Sequence, residues 1–226
     1  MHPRKALILG FALAFPGVAA ASGSSAMGVP RVQQPTATPE QEAVEYYNDG
    51  ISYRDKADKY EAEAAAPDTD AAKKAKLLDK SKSQHESSIK KYLKAVAKNP
   101  QMVPAWGSLG YAYRKSGNLP AALEAYDKAL ALEKNYTPAI EYRAEAYLGL
   151  NRFDDVKSAY MVLFNADRKR ADELASAMQK YVEKRQADPA GVDPAALQDF
   201  GKWVAERKQL ASQTSSLADP NAPARW

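Results

Sequence analysis

The chain has 226 residues, with 32 Lys and Arg against 28 Asp and Glu, a formal charge of +4, and no cysteine. The missing cysteines exclude a disulfide framework and a thiol nucleophile, and the near balance of charge gives nucleic acid no support as a partner. The length suffices for one domain held by a packed core alone.

The opening, MHPRKALILGFALAFPGVAAASG, sets Arg4 and Lys5 before an apolar run from Ala6 to Ala20, with small residues up to Ala21 ahead of Ser22. This is the layout of a secretory signal peptide over residues 1–21. Gly10, Pro16 and Gly17 interrupt the run, which falls short of the roughly 20 apolar residues that span a bilayer. The expectation is therefore an exported chain, periplasmic or secreted, with no stable membrane anchor after cleavage. Removing the leader takes away Arg4 and Lys5 and no acidic residue, which lowers the charge from +4 to +2. Residues 22–39 are rich in Ser, Gly, Pro and Thr and read as a flexible linker.

From residue 40 onward Ala, Leu, Lys and Glu dominate and no alternating β-branched run occurs, so helix is expected throughout. The stretch AVEYYNDGISY spaces Tyr46, Gly50 and Tyr53 along one helical stripe, and SSIKKYLKAVAKNP does the same with Ser88, Tyr92 and Ala95. Between them lie residues 57–86, nearly all helix formers around a single break at Ala66–Asp70. That arrangement predicts two helices that run on and fold back as a hairpin arm. Tyr60, Leu77 and Leu78 are its few bulky residues, five lysines leave the rest solvated, and Asp70 is placed to cap the second arm helix.

The next stretch carries the clearest order. Trp106, Leu109, Gly110 and Tyr113 fall at i, i+3, i+4 and i+7, and after a turn at Ser116–Asn118 come Ala122, Tyr126 and Ala129. Small Gly110 and Ala122 let two antiparallel helices approach while Trp and Tyr fill the flanks. Pro120 stands in the first turn of the second helix, where a missing N–H costs nothing. Shifted by 34 residues, Tyr113 matches Tyr147, Gly117 matches Asn151, Leu119 matches Phe153 and Tyr126 matches Tyr160. Segments 103–136 and 137–170 thus resemble the tetratricopeptide repeat (TPR), a helix–turn–helix unit. Residues 40–102 have the spacing of a degenerate repeat whose turn is replaced by the arm.

Downstream, Leu174, Ala177, Met178 and Tyr181 repeat the first-helix stripe without its Gly and Trp. A final helix over Ala195–Gln209 aligns Leu197, Phe200, Trp203 and Val204, as a solenoid needs to hide its last apolar face. Residues 171–211 are read as a degenerate repeat plus this cap, and 212–226 as a flexible tail. The fold expected is all-α: a TPR-like helical solenoid with an extended helical hairpin insertion and a C-terminal capping helix.

Catalytic signals are lacking. H-E-x-x-H, G-x-S-x-G and glycine-rich phosphate loops do not occur. Once the leader is removed His85 is the sole histidine, in a polar stretch that reads as solvated surface. Asp68 and Asp70 lack the Gly and distal Glu of a calcium loop. No catalytic residue, metal or cofactor is expected.

The resemblance implies a groove lined by the fifth, ninth, twelfth and thirteenth positions of each unit. These are Tyr47, Ile51, Arg54 and Asp55; Gly107, Tyr111, Arg114 and Lys115; and Glu141, Glu145, Leu148 and Gly149. Such a groove is aromatic and aliphatic at one end, basic in the middle and acidic beyond, and suits a protein or peptide partner carrying both charges and an apolar anchor. Chaperone-binding members of the family hold a carboxylate with Lys and Asn at positions filled here by Gly107, Tyr111 and Tyr142, so that role is not expected. The resulting expectation is a non-catalytic interaction scaffold of the bacterial periplasm or envelope. The alternatives are a structural module that forms homo-oligomers and, more remotely, an enzyme acting on the cell wall.

Overall fold

The computed structural model describes residues 37–189 and 191–217, with side chains through Gln213. The leader expected at 1–21, the linker up to residue 36 and the last nine residues of the tail lie outside them. Eight helices follow one another: α1 Pro39–Ala64, α2 Ala71–Lys98, α3 Val103–Lys115, α4 Leu119–Leu132, α5 Thr137–Gly149, α6 Phe153–Ala166, α7 Arg168–Ala187 and α8 Pro194–Leu217. No strand occurs among the described residues, and none of these helices is long and apolar enough to cross a membrane.

The helices pack in the pattern of a solenoid. Each pairs with its successor, and alternate helices also touch, α1 with α3, α3 with α5 and α5 with α7. The first helix of each unit therefore lies beside the first helix of the next.

One contact shows why the units repeat. A Cβ added at Gly110 would lie 2.5 Å from a ring carbon of Tyr126, and one at Gly50 would lie 2.4 Å from the same carbon of Tyr92. The ring of the second helix rests on bare backbone of the first, in both the clear repeat and the degenerate one. Tyr92, Tyr126 and Tyr160 stand 34 residues apart and all three are 0% exposed. At the third step Ala144, also buried, takes the glycine's place. The turns repeat as well: Gly117 has φ 89° and its counterpart Asn151 has φ 59°, left-handed conformations that Gly and Asn tolerate best.

The expected arm is present, α1 and α2 running on past the repeat to a turn at residues 65–70. It needs few bulky side chains because α1 buries Ala43, Gly50, Ala57 and Ala64, one small residue every seventh position. A seam with that period stays on one face of a slightly supercoiled helix and lets the partner backbone come close. The facing stripe of α2 is Leu77, Ser81, His85, Ser88, Tyr92 and Ala95. Leu78, expected to help hold the arm, is instead 45% exposed. Asp70 caps α2 by accepting from the Lys73 N–H at 2.8 Å.

Both ends of the helical region differ from expectation in extent. Thr38 caps α1 and Pro39 is already helical, so the linker ends sooner than residue 39. The helix expected over Ala195–Gln209 runs from Pro194 to Leu217, so residues 212–217 are helical rather than flexible tail. The sequence Ser-Gln-Thr-Ser-Ser-Leu holds no breaker, and the next strong stop is Pro220. Phe200 stacks on Phe153 with ring centroids 4.4 Å apart and Trp203 meets Tyr160 edge-on at 5.5 Å, so α8 closes the last apolar face.

Candidate functional site

The face shared by α1, α3 and α5 carries the lining positions, and its charges are matched across helices. Arg114 of α3 reaches Glu145 of α5 at 2.7 Å, and its guanidinium lies 5.3 Å from the Tyr111 ring centre and 5.5 Å from that of Tyr142. Tyr111 and Tyr142 meet edge-on at 5.2 Å. Burial opposes the charge on Arg114, but Glu145 and the neighbouring Tyr126 and Tyr111 hydroxyls hold it above the usual arginine range. The basic middle expected of the groove is therefore neutralised from within, and Arg114 clamps α3 to α5.

On the opposite side the arm meets α3. The Tyr111 hydroxyl donates to Asp58 at 2.9 Å, and Lys115 donates to Glu61 Oε2. Glu61 Oε1 also accepts from Ser81 at 3.1 Å and faces His85 Nε2 at 3.2 Å. Burial pushes the Glu61 carboxyl up, but hydrogen bonds from His85 and Lys115 and their charges outweigh it and bring it down to about 2. Burial, and then the Asp58 charge and hydrogen bond, push the Tyr111 hydroxyl above the ordinary tyrosine range.

His85 overturns its sequence reading. It is 0% exposed, not a solvated surface residue, and its ring lies 6.0 Å from that of Tyr111 in an edge-on arrangement. The polar stripe that carries it faces α1 and α3 rather than water.

Three lining assignments also change. Leu148 is 4% exposed and belongs to the core cluster built by α5, α6, α7 and α8. Four residues after the small residue of its unit, it holds the position of Arg54 and Arg114, and a leucine there turns inward. Glu141 is 2% exposed and binds Arg170 of α7. Burial raises its carboxyl to about 7 against the pull of Arg170, with Glu173 and Glu145 adding to the rise. Gly107 is buried because the Tyr136 ring lies over it, 2.9 Å from where a Cβ would sit. Tyr47 and Ile51 are half-buried on α1, and Arg54 pairs with its neighbour Asp55 at 2.8 Å.

The sequence reading missed Asp58, Glu61 and Tyr136. The first two are on the arm, where the repeat pattern offers no positions to read. Tyr136 precedes α5, and only the bare Gly107 opposite it hinted that a ring would lie there.

The segment 103–136 matches the tetratricopeptide repeat family model. Among solved structures the chain is similar to the first TPR of Spaghetti (RPAP3) bound to an HSP90 peptide, with 18% identity, 59% of this chain and 94% of that chain covered, and a TM-score of 0.41. It is also similar to the MamA protein, with 17% identity, 82% and 98% coverage, and a TM-score of 0.47. No curated protein matches the chain. Residues 103–136 thus match a tetratricopeptide repeat, set within a run of helices that has no strand among the described residues.

Proposed function

We propose that the chain is a non-catalytic scaffold that binds a segment of another protein along the face formed by α1, α3 and α5. One observation supports this reading above the others. Cross-helix pairs, Arg114 with Glu145 and Lys115 with Glu61, tie successive first helices into one surface, on which Tyr47, Tyr136 and Tyr142 stay half-exposed. Aromatic side chains on a rigid, charge-matched support give contact area at little entropic cost. The partner this face suits is less charged than the groove positions alone suggest, since their cations already have carboxylates.

Export to the bacterial periplasm or envelope rests on the leader at 1–21, and N-terminal sequencing of the protein from an envelope fraction checks it: a mature start at Ser22 supports export. To test the face, a photo-crosslinking residue is placed at Tyr47 or Tyr136 and, as a comparison, at Leu93 or Leu132, which are 43% and 38% exposed on second helices. A partner captured from the tyrosine positions and not from the leucines supports the assignment. Equal capture from both faces sinks it.

A further inference from the structure

Asp58 and Glu61 sit three residues apart on α1, hence on one side of the helix, and His85 faces them from α2. Their ligand atoms all lie within 4.8 Å of one another. Only the Lys115–Glu61 tie of this cluster enters the scaffold reading, and the cluster is unlike a chance group of surface acids. The imidazole is 0% exposed, its Nε2 is aimed at Glu61, and its Nδ1 has no hydrogen-bond partner. Both carboxylates are held by neighbouring side chains, Asp58 by the Tyr111 hydroxyl and Glu61 by Ser81 and Lys115.

We propose that Asp58, Glu61 and His85 form a binding site for a divalent first-row transition ion, of which Zn²⁺ is the representative, at the root of the arm. Donors about 2.1 Å from a tetrahedral ion stand about 3.4 Å apart, and Glu61 Oε1 and His85 Nε2 are 3.2 Å apart. Asp58 offers the third donor, with a carboxylate oxygen within 4.8 Å of both. One imidazole with two carboxylates suits Zn²⁺ and its neighbours, whereas Ca²⁺ and Mg²⁺ take oxygen donors. Three protein ligands leave a fourth position open.

Lys115 is the ion's competitor. Its ammonium neutralises Glu61 from the α3 side, and its side chain is 24% exposed, so it has a route to solvent when a divalent ion takes over that charge. Two substitutions at half-exposed positions should therefore act in opposite directions. Asp58→Asn removes a ligand without changing size, and Lys115→Met removes the competing cation while keeping the aliphatic stem.

The test titrates Zn²⁺ into the full chain, follows heat, and reads the histidine ring nitrogens by NMR, which separates His85 from His2. The expected result is one Zn²⁺ per chain shifting the His85 nitrogens, about tenfold weaker binding or worse in Asp58→Asn, and several-fold tighter binding in Lys115→Met. Ca²⁺ should not compete. Zn²⁺ that binds without moving the His85 signals, or equally well in wild type and Asp58→Asn, overturns the site. Tighter binding in Lys115→Met cannot come from a variant that merely fails to fold.

Discussion

Gly110→Ala offers the sharpest test of the packing rule that defines the repeat. In an unconstrained helix interior this change is stabilising by about 1 kcal/mol, because alanine loses less backbone entropy. Here the new methyl would meet three carbons of the Tyr126 ring at 2.5, 2.6 and 2.9 Å. The ring is 0% exposed and its neighbours Ala122 and Ala129 are equally enclosed, so it has nowhere to swing. Overpacking of this kind costs about 1–3 kcal/mol, and contacts this close belong at the upper end. The helical gain offsets part of that, leaving a net loss of about 2 kcal/mol. Urea unfolding followed by circular dichroism should show a lower midpoint with the slope unchanged. Gly50→Ala should lose a similar amount, since its methyl would meet Tyr92 at 2.4, 2.6 and 2.9 Å. Gly149→Ala is the comparison, because its contact at 2.7 Å is with the terminal methyl of Leu119, which can turn away. Combining Gly110→Ala with Tyr126→Leu should cost less than the two changes separately. If Gly110→Ala is neutral or stabilising, the ring does not rest on the backbone, and the equivalence of the units fails.

Two further outcomes follow from the same structure. Burial, with Tyr47 adding to it, pushes the Tyr136 hydroxyl up to about 12. The unfolded chain ionises first, so stability held below pH 10 declines between pH 10 and about 12; Tyr136→Phe should lose less than wild type between urea titrations at pH 9 and pH 11, and an equal loss refutes this. Asp70→Ala removes the cap on the Lys73 N–H and should cost about 1 kcal/mol, seen as faster amide exchange over residues 71–77 with the repeats unaffected; unchanged exchange there would show that the cap holds nothing.

The scaffold was legible because its information is periodic. Trp106, Leu109, Gly110 and Tyr113 state a helix stripe, and the 34-residue shift from Tyr126 to Tyr160 states that the unit recurs. Two burials argue that the same logic reaches the degenerate unit: Tyr92 lies on Gly50 as Tyr126 lies on Gly110. The chemistry of the face was less legible for a physical reason. Lining positions come from one helix at a time, but whether Arg114 or Lys115 is free depends on what the adjacent helix offers. Glu145 and Glu61 are 31 and 54 residues away from them.

His85 shows where a reading based on hydrophobicity breaks down. Its helix buries Leu77, Ser81, His85, Ser88, Tyr92 and Ala95, spaced by four, four, three, four and three residues, as regular as any apolar stripe. Half of those residues are polar, so a search for apolar periodicity passes over them. The partner seam was present too, as Ala43, Gly50, Ala57 and Ala64, one small residue per heptad. Small residues bring the backbones together, and the space they leave is filled by serine and histidine, whose polar atoms must then be satisfied inside the protein. Ser81 and His85 both turn to Glu61, and Ser88 donates to the His85 carbonyl at 2.7 Å. A seam of small residues facing a polar stripe therefore implies a buried polar network, and in this chain that network lies where the arm meets the repeats.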